Sequence, residues 1–209
     1  MQPDLFAGDD DGSGECIELP DAALEYRPAF LNTAEAAAAF DELRATLAWR
    51  QDVLRFGGRE VPIPRLNAWY GEAGTTYTYS GLRLEALPWT ETLAALRARI
   101  EAASGARFDS VLANLYRDGR DSVAWHADNE PELGRDPVIA SLSLGAVHSF
   151  ELRHRRARAL GLGTQRLALA DGSLLVMRGS TQHHWLHRVP KEPAVTAARI
   201  NLTFRLIRR

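Results

Sequence analysis

The sequence predicts an α+β fold that is mainly β: a sandwich or jelly roll with helices from the N-terminal half packed on one side. Three observations carry that expectation. From about residue 108 onward the chain is a series of short apolar or alternating segments, separated by turn signals such as Asp118-Gly119, Asp171-Gly172 and Gly179-Ser180. Many short strands at that spacing build two-layered β folds. Two stretches of helical composition come before them, and helices segregated from strands in sequence pack on one face of a sheet. The last segment, Arg199-Ile200-Asn201-Leu202-Thr203-Phe204-Arg205, alternates polar and apolar residues, the period-2 pattern of a strand with two unlike faces.

The elements follow in chain order. Residues 1–15 are rich in Asp and Gly and lack periodicity, which predicts a disordered acidic tail ahead of one domain spanning 16–209. Within the tail, Gln2-Pro3-Asp4-Leu5-Phe6 resembles the Gln-x-x-Leu-Phe peptides with which bacterial proteins dock on the replication sliding clamp. Thr33 to Trp49 reads as a helix, with Thr33 as N-cap of an Ala-rich run. Trp89 to Ser104 reads as a second, capped by Thr90 and stopped by Gly105. Val61-Pro62-Ile63-Pro64-Arg65 is extended, because proline disfavours helix for itself and its predecessor. Thr75 to Tyr79 is β-branched and aromatic and reads as a strand or hairpin. The later strand candidates are Ser110–Tyr116, Val123–Asp128, Val138–Leu144, His148–His154, Gln165–Ala170, Ser173–Arg178 and Ile200–Ile207.

Composition sets outer bounds. The apolar fraction of 45% is enough to build a core. The chain carries 25 Lys and Arg against 27 Asp and Glu. Five of those acids, Asp4, Asp9, Asp10, Asp11 and Glu15, lie in the tail with no base among them, so residues 16–209 carry 25 basic against 22 acidic groups. A mildly basic body permits nucleic-acid binding without showing it. The single cysteine, Cys16, excludes an intrachain disulfide and suits a reduced cytoplasmic compartment. No signal-peptide pattern and no apolar run of membrane-spanning length is present, which predicts a soluble, monomeric protein.

Two constellations carry chemistry. His126 and Asp128 are two apart, so on a strand they point the same way. One further ligand would complete a two-His, one-carboxylate triad with three open positions, a set that suits Fe(II) and also accepts Zn(II), Mn(II) or Co(II). His183, His184 and His187 are the candidates for that ligand, and spacing does not choose among them. The second constellation is the polar face of the last strand. Arg199, Asn201, Thr203 and Arg205 share it. A guanidinium stays charged when buried and grips carboxylates bidentately, so an inward-facing arginine needs an anion. That anion is either a ligand or an internal Asp or Glu, unless the strand is an exposed edge. Asn114 and Tyr116 share a face of an earlier strand and offer donors to the same anion.

In order along the chain, Asn114-Leu115-Tyr116, His126-Ala127-Asp128-Asn129-Glu130, the run Pro137 to Gly145, His184-Trp185-Leu186-His187 and Arg199 to Arg205 together resemble the AlkB family of Fe(II)/2-oxoglutarate dioxygenases. The likeness is to the branch holding the human nuclear DNA-repair homologues, and it runs from about Pro64 to Arg205. The resemblance implies a double-stranded β-helix and a ligand set of His126, Asp128 and His187 for Fe(II). It implies that Arg199 and Arg205 hold the carboxylates of 2-oxoglutarate, assisted by Asn114 and Tyr116, with Asn201 and Thr203 lining the pocket. Tyr77 and Tyr79 match the aromatic pair that holds the substrate base, and Glu130 an acidic residue at the base edge. The implied reaction consumes O2 and 2-oxoglutarate, gives succinate and CO2, and removes an N-methyl group from bases such as 1-methyladenine and 3-methylcytosine as formaldehyde. A methylated base pairs poorly and flips out more easily, which itself supplies selectivity.

The densest basic run, Arg153-His154-Arg155-Arg156-Ala157-Arg158, with Arg166 close behind, reads as a mobile loop before Gly161-Leu162-Gly163. In the resembling branch a loop here contacts the DNA backbone, which makes Arg153, Arg155 and Arg156 phosphate-contact candidates. Phe56 is either a wedge filling the gap left by the flipped base or a buried strand residue. The partner implied is alkylated DNA, with RNA as the alternative nucleic acid, in a bacterial cytoplasm. The rival function is a 2-oxoglutarate oxygenase acting on a protein or small molecule.

Overall fold

The computed structural model describes residues 14–56, 58–74, 76–79 and 82–208, with the backbone alone for 55, 56, 76–79 and 82–84. The clamp-like segment Gln2 to Phe6 and most of the acidic tail lie outside the described residues. In chain order the elements are β1 (Glu15–Ile17), β2 (Ala23–Arg27), α1 (Thr33–Thr46), β3 (Val53–Phe56), β4 (Arg59–Pro62), β5 (Leu66–Gly71), β6 (Thr76–Tyr79), β7 (Leu82–Glu85), β8 (Leu87–Pro88) and α2 (Glu91–Ser104). Then come β9 (Ser110–Tyr116), β10 (Val123–His126), β11 (Ile139–Gly145), β12 (His148–His154), α3 (Ala157–Leu160), β13 (Gln165–Leu169), β14 (Leu174–Arg178), α4 (Thr181–His184), β15 (Trp185–Val189) and β16 (Arg199–Arg205).

Two sheets face one another. The larger has the order β1-β2-β14-β11-β16-β9-β5-β8 and the smaller β10-β15-β12-β13. Consecutive strands in space are rarely consecutive in sequence, as in a jelly roll. β3–β4 and β6–β7 are separate two-stranded ribbons. β16 lies between β11 and β9, and all seven of its residues are buried, so the exposed-edge reading of this segment falls.

Its alternation divides the core in two. Ile200, Leu202 and Phe204 join a cluster with Leu43 of α1 and Leu93, Leu96 and Ile100 of α2, on the helix side of the larger sheet. Trp89 stacks on Phe204 at 6.3 Å between ring centres. A second cluster, including Phe150, Leu152, Leu167 and Trp185, lies between the sheets. The helices thus pack on one side, and the polar face of β16 looks the other way.

Several boundaries differ from expectation. Asn32, not Thr33, caps α1: its side chain accepts from Glu35 N at 3.0 Å while the Glu35 carboxylate accepts from Asn32 N, also at 3.0 Å, closing a capping box. The helix stops at Thr46 rather than Trp49, whose indole folds back to donate to the carbonyls of Leu43 and Arg44 near the helix end. α2 matches expectation, with Thr90 as cap and Gly105 in the left-handed region at φ 65°. β10 ends at His126, two residues before the expected end. The basic run is not a loop: Arg153 and His154 end β12, and after Arg155 and Arg156 the chain turns into α3. β1 begins at Glu15, inside the segment expected to be unstructured. Phe56 closes β3, with its side chain outside the described residues.

Candidate active site

The inner face of β9, β16 and β11 is a polar floor in register. Asn114 lies opposite Asn201, which lies opposite Ser143, and Tyr116 lies opposite Arg199. The smaller sheet forms the roof and supplies the histidines, with His126 of β10 paired directly to His187 of β15. His126, Asp128 and His187 each offer a ligand atom, all within 4.8 Å of one another.

Asp128 arrives differently from the strand geometry expected. It sits beyond the end of β10, where Gln182 Oε1 of α4 accepts from its backbone N at 2.9 Å. Arg205 Nη2 donates to its Oδ1 at 2.6 Å, while Oδ2 lies 3.8 Å from His187 Nε2. Burial pushes the Asp128 carboxyl up, yet Arg205, then His187 and His126, hold it below the usual carboxylate range. His187 is pushed down to about 3, first by burial and then by His126, so it is a neutral imidazole at ordinary pH. His126 Nδ1 lies 2.8 Å from the Ala124 carbonyl, which fixes the proton on Nδ1 and frees Nε2 as a ligand atom. His183 and His184, the other candidates for the third ligand, lie on α4 and are not in this cluster. Two imidazoles and one ionised carboxylate fit a divalent metal of the facial-triad class.

The anion side is equally defined. Arg199 is 1% exposed, donates from Nη2 to Ser143 Oγ at 2.8 Å, and lies 5.2 Å above the Tyr116 ring. Its Nε and Nη1 have no hydrogen-bond partner, and burial pulls its pKa down. Buried polar groups in native folds are almost always paired, so two idle guanidinium donors mark where a carboxylate fits. Arg205 faces a carboxylate of the protein itself, whereas Arg199 makes no ion pair among the described residues. Asn201 donates to Ser141 Oγ at 2.7 Å and accepts from Thr203 Oγ1 at 2.9 Å, which commits both side chains to each other and to β11. Asn114 Oδ1 accepts from Arg65 Nε at 2.8 Å.

These groups open into one cavity of about 670 Å³. Arg65, Glu130, Trp125 and Arg188 also line it, with Leu54, Val61 and Ile63 from the β3–β4 side. Glu130 has a buried Oε2 without a partner. Tyr77 and Tyr79 belong to β6, and their side chains lie outside the described residues. Arg153, Arg155 and Arg156 do not line the cavity. Sequence reasoning missed Arg65 as a site residue, though the extended Pro-Ile-Pro-Arg run places it there. It also missed Gln182, for which no local signal exists. A second cluster, Asp21, His154 and His184, also brings three ligand atoms within 4.8 Å. There His154 Nδ1 accepts from Arg156 N at 3.0 Å, which puts the ring proton on Nε2, facing Asp21 at 3.3 Å. That tautomer suits a His–Asp hydrogen bond rather than a metal.

Comparison with known proteins agrees with this geometry. The 2OG-Fe(II) oxygenase superfamily matches residues 23–205. The chain is 44% identical over 189 residues to rat alpha-ketoglutarate-dependent dioxygenase alkB homolog 3, covering 86% of this chain and 62% of that protein. It is 43% identical to the human form, covering 86% of this chain and 64% of that one, so it spans less than two thirds of these relatives. Human DNA oxidative demethylase ALKBH2 is 40% identical over 181 residues, with 83% of this chain and 69% of that protein covered. The structure of OsALKBH1 superposes with a TM-score of 0.64 at 15% identity, covering 92% of this chain and 100% of that one, a likeness of fold. The jelly roll, the triad and the matched span lead to one assignment: the chain belongs to the AlkB family of the 2OG-Fe(II) oxygenase superfamily.

Proposed function

We propose that this protein removes N-alkyl groups oxidatively from nucleic-acid bases of the 1-methyladenine and 3-methylcytosine type, in direct DNA repair. The observation that carries the reading is the triad His126, Asp128 and His187 placed beside an unfilled guanidinium, Arg199, in a cavity of about 670 Å³, room enough for a base. Fe(II), 2-oxoglutarate and O2 together supply the oxidation of the N-methyl carbon, with succinate, CO2 and formaldehyde as products.

The chain's own residues do the rest. His126, Asp128 and His187 hold the metal, and Arg205 keeps Asp128 ionised and oriented. Arg199 takes the far carboxylate of 2-oxoglutarate, with Tyr116 beneath it and Asn114 beside it, leaving the other end for the metal. Glu130 presents a carboxylate to the base edge, and Tyr77 and Tyr79 of β6 flank the base. The hydrophobic residues of the β3–β4 side exclude water from the reacting carbon. Arg153, Arg155 and Arg156 meet phosphates. The relatives named as DNA oxidative demethylases support a nucleic-acid substrate.

Incubating a 1-methyladenine oligonucleotide with Fe(II), 2-oxoglutarate and O2 is expected to yield adenine and formaldehyde. Succinate without base repair would leave an oxygenase of a protein or small molecule. Parallel DNA and RNA oligonucleotides decide between the two nucleic acids. We also propose that the protein acts as a cytoplasmic monomer and docks on a sliding clamp through Gln2 to Phe6. Deleting residues 1–13 is expected to abolish clamp pull-down and to spare turnover on a short oligonucleotide.

A further inference from the structure

The smaller sheet has an outer face that carries none of the three metal-ligand candidates. His126, His187, Phe150 and Leu152 point inward, so their strand neighbours Trp125, Arg188, Glu151 and Arg153 point out. Arg166 of β13 joins them opposite Glu151. The guanidinium carbon of Arg153 sits 4.4 Å from the Trp125 ring centre, and that of Arg188 sits 4.6 Å from it. Glu151, 3% exposed, accepts from Arg188 Nε at 2.6 Å and from Arg166 Nη2 at 2.5 Å. Burial pushes the Glu151 carboxyl up, and the hydrogen bonds of Arg166 and Arg188 more than offset that. Around Trp125 three guanidiniums stand against the single carboxylate of Glu151, while Glu192 is bound to Ser149 further along β12. Among the described residues no carboxylate lies within ion-pair distance of Arg153.

An arginine held over an indole has lost rotamer freedom before any ligand arrives, so less entropy is lost when its planar fork meets a phosphate. The face is also continuous with the site, because Trp125 and Arg188 are among the residues that line the cavity holding the triad. At its far end β12 runs into Arg155, Arg156 and Arg158. A base placed in the cavity would carry its strand out past Trp125.

We propose that the outer face of the smaller sheet is a track for the single-stranded segment flanking the base in the pocket, with Trp125 as the positioning residue that sets Arg153 and Arg188 against its phosphates. This rests on the nucleic-acid reading above. The test is anaerobic fluorescence anisotropy on the full chain, with 2-oxoglutarate and Mn(II), using a 15-nucleotide and a 3-nucleotide DNA that each carry one 1-methyladenine. Trp125→Leu is expected to weaken the 15-mer about 5- to 10-fold and the 3-mer less than about 2-fold. Arg153→Met, which removes an exposed side chain, is expected to flatten the dependence of log K on log salt for the 15-mer by about 0.7, one phosphate contact. Trp125→Phe is expected to restore most of the 15-mer affinity. Equal losses for both lengths would mean that Trp125 acts on the base rather than on its flanking strand and would overturn the track, as would no loss in either variant. Failure of the unaltered protein to bind the 15-mer would overturn the nucleic-acid reading itself.

Discussion

Replacing Arg199 by methionine should move ligand binding and stability in opposite directions. Arg199 is almost fully buried, donates from Nη2 to Ser143, and leaves Nε and Nη1 idle. If those donors receive a carboxylate, they form two charge-assisted hydrogen bonds worth about 1.5–3 kcal/mol each. Losing about 4 kcal/mol weakens 2-oxoglutarate binding by roughly 10³-fold. The ligand-free protein should respond the other way. A buried guanidinium without a counter-ion is costly, and an apolar side chain of similar length is often neutral or more stable by about 1–4 kcal/mol. For a domain of this size each kcal/mol moves Tm by roughly 2–4 °C. The assay is calorimetric titration of 2-oxoglutarate into anaerobic Mn(II)-loaded protein, with melting curves at a ligand concentration about 100-fold above the parent Kd. There the parent gains about 2.7 kcal/mol and the variant almost nothing. The parent should therefore melt lower than the variant without ligand and recover ground with it. Binding by Arg199→Met within about tenfold of the parent, or a clear loss of Tm in its ligand-free form, would refute the reasoning.

Three further outcomes are expected. Asp128→Ala should abolish Mn(II) binding and also lower stability by about 3–5 kcal/mol, because it removes the carboxylate that Arg205 faces at 2.6 Å; metal analysis and denaturant titration check the two effects separately. Asn32→Ala opens the capping box of α1 and should cost about 1 kcal/mol in urea unfolding while leaving 2-oxoglutarate affinity unchanged. Gly145→Ala should destabilise strongly in the same measurement, since at φ 84° its Cβ would lie 2.6 Å from the Ala198 carbonyl and 2.7 Å from the Phe40 ring.

What the sequence revealed follows from how local each signal is. The limits of β9 and β12 match their expected ranges, because turn residues and alternation mark them on the chain itself. β5 escaped notice because five of its six residues are buried, so no alternation exists to read. β2 is short and carries charge, and only its pairing with β1 and β14 makes it a strand. In the site, the polar face of β16 and the His126-x-Asp128 pair could be read as patterns. The choice of His187 over His183 and His184 could not be read from spacing, because α4 breaks the extended run before Trp185. The Gln182 contact to Asp128 spans 54 residues and leaves no trace in either segment.

The floor of the site explains why so polar a strand can occupy the middle of a sheet. Asn201, Thr203 and Ser141 bond to one another, Ser143 accepts from Arg199, Asn114 accepts from Arg65, and Arg205 meets Asp128. A buried polar network is tolerable when its members satisfy each other. Here the described bonds leave the idle donors of Arg199 at one end of β16 and the free ligand atoms of His126 and His187 near the other. Those are the two places where a small dicarboxylate with a metal at one end would supply the missing charge. On this reading the co-substrate completes the core as well as the reaction, so its binding to the unaltered protein should raise the stability of β16.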